Sequence, residues 1–447
     1  MIDIPRFKIL FLTLVTFFYC FSQSAIKTEI KLKNGKWEIY RGGNPYYIKG
    51  AGGTVHMNWV VGCGGNSVRT WGAENAGEIL DQAQKNGLSV MLGLWVQHER
   101  HGFDYDNANK VQKQWNDFRE IVLKYKDHPA LLLWGVGNEV DLNYSNTKVW
   151  DAINDIAKMI HELDPNHPTS TVTAGLDSME VVLIKEKAPH IDIYGINTYG
   201  DIGNVKNNIK KFGWKGPYMI TEWGPTGHWE SPTTDWGFSL ESSSTEKSEV
   251  YTQRYKNFIE ADSNTCIGSY VFLWGQKQEY TNSWYGIFTS KGEPTETLDA
   301  IHYCWKGKHP EKKTPSVDAF QLNGKLSSEN VILKSGKEYF AEIKVDPKGS
   351  DQLKYFWSVR PESSDLKSGG DFENEPDEIN GVVKKRNDNK VRIKTPSEEG
   401  AYRLYFKVKG NGKVAYANFP FYVEKSGPSK QWLRFKNQNL ESFNTEN

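Results

Sequence analysis

The stretch Leu131-Leu132-Leu133-Trp134-Gly135-Val136-Gly137-Asn138-Glu139 decides how the rest of the chain is read. Its first seven residues are apolar or glycine, the signature of a strand covered on both faces, as strands of a parallel sheet are. The run then finishes on a carboxylate, which is costly to bury without a partner. Working outward, seven other runs share this apolar character, at 46–50, 67–71, 88–95, 169–173, 191–197, 218–223 and 267–274. Helical patterns lie between several of them, clearest at 76–86, 111–126, 148–163, 247–261 and 296–303. Strands alternating with helices imply a parallel sheet covered by helices, and eight strands in about 260 residues suit a (β/α)8 TIM barrel. A doubly wound open sheet is the competing architecture.

The flanks read differently. Ahead of the barrel, strand-like segments at 26–32 and 36–40 surround Asn34-Gly35, a strong hairpin signal. Before them, Met1 to about Ser24 has the form of a secretory signal peptide: Arg6 and Lys8 precede an apolar run at 9–21. That run is shorter than the ~20 residues needed to span a bilayer. Cys20 suggests a lipid anchor, but Phe17-Phe18-Tyr19 lacks the small residues that lipoprotein cleavage favours, so no lipid anchor is expected. After the linker Lys312-Lys313-Thr314-Pro315, helical periodicity gives way to short alternating strands at 331–333, 339–345, 354–359, 391–395, 401–408 and 415–423. About seven strands fit a smaller all-β, immunoglobulin-like sandwich, with a long loop at 363–380. The expected division is a signal peptide at 1–24, a barrel with its hairpin at 25–311, a sandwich at 312–425 and a polar tail at 426–447.

Composition narrows the function. Among 447 residues, 55 Lys plus Arg balance 55 Asp plus Glu, so no basic field exists to hold a nucleic-acid backbone. Hydrophobic residues at 38% and charged residues at 25% exclude global disorder. The outlier is the aromatic content, with 16 Trp, 22 Tyr and 21 Phe. Sugar rings, with apolar C–H faces, stack well on such side chains. Trp71, Trp95, Trp223, Trp229, Trp236 and Trp284 fall in or just after strands, and about half are expected to be stacking platforms, the rest packing. Neither a metal nor a cofactor is expected. His98 and His101 are three residues apart with no third ligand, so His98 is read as a contact to sugar hydroxyls or as surface, and His228 likewise. Cys63, Cys266 and Cys304, which remain once the signal is removed, make neither a disulfide framework nor a zinc knuckle.

A second run, Tyr218-Met219-Ile220-Thr221-Glu222-Trp223-Gly224, also ends in a glutamate. Counting along the chain, these are strands four and seven. Barrel enzymes place their chemistry at the carboxyl ends of strands, and curvature brings these two ends together. Two carboxyls about 5–5.5 Å apart suit retaining glycoside hydrolysis. A structural ion-pair role for both glutamates is the bland alternative.

Trp134-Gly135-Val136-Gly137-Asn138-Glu139 and Ile220-Thr221-Glu222-Trp223-Gly224 resemble the acid/base and nucleophile strands of the clan A glycoside hydrolases. The 46–50 run and Ser67-Val68-Arg69-Thr70-Trp71 most resemble the family 2 type of barrel, over roughly 260 residues. The resemblance implies Glu139 as acid/base and Glu222 as nucleophile. It implies Arg69 and Tyr199 as supports of the Glu222 carboxylate, Asn138 as a ligand of the sugar 2-hydroxyl, and Trp274 as the floor of the subsite. Many clan members have His-x-Tyr on strand six; here Asn197 stands first, which leaves its role more open than that of Tyr199. His98, Trp95 and Trp223 complete the candidate substrate contacts.

One barrel with one C-terminal sandwich is similar in architecture to bacterial family 158 endo-β-1,3-glucanases. The expectation is therefore a secreted retaining enzyme, periplasmic or at the outer surface, cutting a neutral β-glucan of laminarin type internally. β-Mannan, β-galactoside and transglycosylation remain open, as does a non-catalytic glycan-binding protein. The partner expected is a polysaccharide or oligosaccharide, with no nucleic acid and no membrane span. The sandwich is read chiefly as a brace for the barrel, with a spacer or a sugar binder as the alternatives.

Overall fold

A computed structural model describes residues 24–425. Most of the expected signal peptide (1–23) and the polar tail (426–447) lie outside the described residues.

The chain begins with a three-stranded antiparallel sheet, β1 Thr28–Lys33, β2 Lys36–Arg41 and β3 Asn44–Tyr46. Asn34 and Gly35 form its turn, both with positive φ, as a two-residue hairpin requires. Eight parallel strands follow: β4 Ile48–Gly52, β5 Ser67–Arg69, β6 Ser89–Leu94, β7 Leu131–Val136, β8 Thr169–Ala174, β9 Ile193–Asn197, β10 Tyr218–Trp223 and β11 Cys266–Val271. They pair in chain order, and β11 returns to β4, so the sheet closes. The open doubly wound alternative is thereby excluded. Eight helices accompany the strands: α1 Met57–Cys63, α2 Ala76–Lys85, α3 Ala108–Tyr125, α4 Lys148–Leu163, α5 Ser178–Lys187, α6 Val205–Lys211, α7 Ser244–Arg254 and α8 Glu296–Lys306. Beyond the end of α7 the chain makes a π turn, Tyr255–Ile259.

Two hydrophobic layers hold the barrel. The outer one lies between strands and helices, with Val68, Leu92, Trp134 and Ile220 meeting residues such as Leu80, Ile153 and Ile156. The inner one fills the barrel with Ile48, Met91, Leu132, Val172, Ile193, Met219 and Ile267. Ile39 of β2 belongs to this inner cluster, and Ile30, Trp37 and Tyr46 pack on it. The N-terminal sheet therefore plugs the bottom of the barrel and leaves the carboxyl ends of the strands as its open mouth.

The remaining strands are β12 Ser316–Leu322, β13 Ile332–Lys334, β14 Glu338–Asp346, β15 Lys354–Pro361, β16 Val383–Asn387, β17 Lys390–Lys394, β18 Gly400–Gly410 and β19 Lys413–Glu424. They form two four-stranded sheets, β12-β14-β17-β16 and β13-β19-β18-β15. Val317, Ile343 and Ile393 from one sheet and Trp357, Phe406 and Phe419 from the other share a single core. Of the consecutive aromatics on β15, Trp357 faces this core and Phe356 faces out, as strand alternation demands.

Candidate active site

The strand ends set the site. In the β9–β10 pairing Asn197 stands opposite Glu222, and in β8–β9 it stands opposite Ala174. Arg69 ends β5 opposite Gly52 of β4. Strict alternation along β10 would put Met219 and Thr221 inside and Glu222 outside. The register slips between Ile220 and Glu222, and such a bulge re-aims the side chains that follow it. Thr221 and Glu222 consequently both face the barrel axis, and Trp223 turns outward. On the opposite side, β7 stops at Val136, and Gly137 and Glu139 take left-handed φ values of 82° and 50°. That conformation is ordinary for glycine and strained for glutamate. The amide of Glu139 is tied to the Val172 carbonyl at 2.8 Å, which holds the turn against the sheet.

Around Glu222 the donors are dense. Arg69 Nη1 lies 3.1 Å and Trp71 Nε1 2.7 Å from Oε1, and the Tyr199 hydroxyl lies 2.9 Å from Oε2. Burial, and then the neighbouring Glu222, push the Tyr199 hydroxyl well above its usual range, so it stays a donor. Glu139 has poorer company. Asn197 Nδ2 donates to its Oε1 at 2.7 Å. Burial first, then the negative Glu222, raise the Glu139 carboxyl above the usual carboxylate range. One carboxyl is thus built to carry charge and the other to keep its proton.

Asn197 joins the two halves. Its Nδ2 also donates to Asn138 Oδ1 at 3.2 Å, and its Oδ1 accepts from Thr221 at 2.8 Å and from Arg69 at 3.4 Å. Arg69 Nη2 reaches Asn138 Oδ1 at 2.6 Å. With that oxygen occupied from two sides, Nδ2 is the group Asn138 offers to a hydroxyl. Glu139 and Glu222 therefore converge at one mouth, linked through Asn197, Asn138 and Arg69.

His98 is buried, with its ring stacked on Trp95 at 4.7 Å and its Nδ1 accepting from Arg100 Nε at 3.2 Å. Burial, and then the positive Arg100, lower its pKa to about 4, so the ring is neutral. It is not surface.

Two expected contacts lie elsewhere. Trp274 is 1% exposed and stacks on Trp305 of α8 at 5.9 Å, so it belongs to the outer hydrophobic layer and not to a subsite floor. The last apolar run overshoots its strand: β11 ends at Val271, and the aromatic at the mouth is Phe272. Its ring meets Trp71 edge-on at 5.9 Å, Tyr199 at 6.1 Å and Tyr285 at 5.5 Å. Trp223 is fully buried against Tyr251 and Tyr255 behind β10, and it touches no cleft. Trp236 and Trp284 are packed as well, the former on Tyr422 of β19. Trp229 stays 53% exposed and stands edge-on to Tyr199 at 5.7 Å. Trp71 is more than a platform, since it bonds Glu222 directly. The three cysteines are free and buried, and no three His, Cys, Asp or Glu side chains group as a metal site among the described residues.

Residues 57–228 match the family described as glycosyl hydrolases family 2, TIM barrel domain. Over that stretch the barrel is similar to that of family 2. The chain is similar to a β-glucuronidase of Streptococcus agalactiae, 24% identical over 259 residues covering 46% of this chain and 42% of that protein. It is also similar to a β-galactosidase of Bacteroides ovatus, 23% identical over 197 residues covering 37% of this chain and 23% of that protein. Among solved structures, the β-D-glucuronidase of Dictyoglomus thermophilum aligns with a TM-score of 0.49 at 16% identity, covering 64% of this chain and 55% of that one. The matched stretch spans less than half the length of these curated relatives. They are named as β-glucuronidases and β-galactosidases, not β-1,3-glucanases, so the likeness supported is to family 2 and not to family 158.

Proposed function

We propose that this chain is a retaining β-glycosidase in which Glu222 is the nucleophile and Glu139 the acid/base. The observation that supports it best is the unequal treatment of two carboxyls at one mouth: three donors on Glu222, and a single amide on a Glu139 whose proton is retained. In the first step Glu222 attacks the anomeric carbon while Glu139 gives its proton to the departing oxygen. In the second, Glu139 takes a proton from water, which displaces Glu222 and restores both groups. Asn138 offers its amide to the 2-hydroxyl, and Phe272, in place of Trp274, backs the aromatic wall.

A neutral glycan suits the mouth. The cations near it are engaged: Arg69 by Glu222 and Asn138, Arg100 by Asp371, and Lys277 by Glu279. His98 and His228 are both lowered to about 4, chiefly by burial, and add no charge. We take a neutral β-glycan as the substrate, with a β-1,3-glucan cut internally as the first candidate to test. β-Galactosides are the second reading, favoured by the name of the Bacteroides ovatus relative. Secretion is part of the proposal and rests on the leader-like residues 1–24; no helix among the described residues is long and apolar enough to cross a membrane.

The test is turnover of aryl β-glycosides and a panel of β-glucans, mannans and galactosides by the wild type and by Glu222→Gly. Activity should collapse in the variant and return in part with azide. A variant as active as wild type would overturn the assignment. Binding of a glycan without turnover by the wild type would favour a non-catalytic role.

A further inference from the structure

The long loop between β15 and β16 does not stay with its own sandwich. Asp371 grips Arg100, in the turn after β6, with two bonds of 2.9 and 3.1 Å, and reaches His101 at 3.2 Å. The Gly370 carbonyl accepts from Lys277 at 3.0 Å, Glu373 accepts from the Tyr280 amide at 2.7 Å, and Glu375 accepts from Asn282. Those last three partners lie in the segment after β11. Since β11, β4, β5 and β6 are neighbours in the barrel, the loop spans the arc of the mouth formed by β4 and β5, beyond which Trp71 stands. The approach is close. At Gly369 (φ 60°) a methyl would meet Arg100 and Leu142 at 2.9 Å, and Leu142 is three residues past Glu139. Glu279 lies within electrostatic reach of both Glu373 and Glu222.

Between the two anchored acids stands Phe372. At 79% exposure it is the most exposed large apolar side chain among the described residues. Its backbone is fixed on both sides, so a ring that stacked on it would meet a platform already in place, without the ordering cost of a free loop. The flat apolar face of a pyranose is the ligand such a platform accepts. We propose that residues 363–378 of the sandwich form one wall of the glycan cleft, with Phe372 as the platform for a sugar unit beyond the bond being cut. The inference rests on the glycosidase reading and names a subsite for it.

The test compares wild type, Phe372→Ala and Phe372→Trp on an aryl β-glycoside and on a length series of the β-glycan that the wild type cleaves. The measured quantity is kcat/KM for the longest oligosaccharide divided by kcat/KM for the aryl glycoside. Loss of one stacking contact should lower that ratio about fivefold in Phe372→Ala, and Phe372→Trp should restore it. A ratio unchanged in Phe372→Ala would overturn the subsite and leave the glycosidase reading standing. A wild type that turns over no β-glycoside would overturn that reading and the subsite with it.

Discussion

Glu222 accepts bonds from Arg69, Trp71 and Tyr199, while Glu139 accepts one from Asn197, and the proposed division of roles rests on this asymmetry. Hydrogen bonds to an ionised group contribute about 1.5–3 kcal/mol each. Tyr199→Phe should therefore lower kcat/KM roughly ten- to a hundredfold with the fold unchanged by circular dichroism, and a loss under about twofold would contradict its role. The raised carboxyl of Glu139 sets a pH limb. Activity should fall as pH rises through the Glu139 pKa, because the leaving oxygen then lacks its proton, and Glu139→Gln should abolish that limb on substrates with good leaving groups. The sign for stability follows: a carboxyl raised in the folded state stabilises it at low pH, and this is lost as pH climbs through the folded value. Glu139→Gln should accordingly raise the Tm relative to wild type at alkaline pH, not at acid pH. Both glutamates were legible in the sequence because a charge closing a buried run is anomalous. Asn197 was less so, since its bridging role depends on four partners drawn from β5, the β7 end and β10.

At the scale of elements, all eight barrel strands were legible from their apolar runs, but not where each stops or which way each side chain points. The bulge in β10 sends Glu222 inward and Trp223 outward, and the early end of β11 hands the mouth to Phe272 in place of Trp274. No pattern of hydrophobicity encodes either. Three helices also escaped: α1 and α6 are seven residues each, and in α5 the contiguous Val181-Val182-Leu183-Ile184 hides the helical period. β12 and β16 were missed in the sandwich. The turn after β7 offers a direct check of how an element places the acid. Gly137 has φ 82°, so Gly137→Ala should cost about 1 kcal/mol in urea unfolding and lower kcat more than KM by shifting Glu139. An unchanged kcat would show that the turn does not position it.

Across the whole molecule, barrel and sandwich are joined by buried charge. Lys247 on α7 meets Glu241 at 2.5 Å and the Ser283 carbonyl at 2.8 Å, Asn418 of β19 donates to the same Glu241, and Arg403 of β18 bonds the Ser239 carbonyl at 2.9 Å. Removing one member leaves its partner charged and buried, which costs about 3–5 kcal/mol. Lys247→Ala should lose that much in urea unfolding, and a loss below about 1 kcal/mol would mean that Glu241 does not depend on Lys247 at this seam. Bracing was one of three roles, beside spacer and sugar binder, that the sequence allowed the sandwich. Its reach to the barrel mouth was not legible, because Asp371 and Arg100 stand 271 residues apart and only the fold brings them together. The central claim, a carboxyl pair that cleaves with two displacements, is tested most directly by following the anomer first released from a β-glycan by proton NMR. Double displacement releases the β-anomer ahead of mutarotation; initial release of the α-anomer would overturn it.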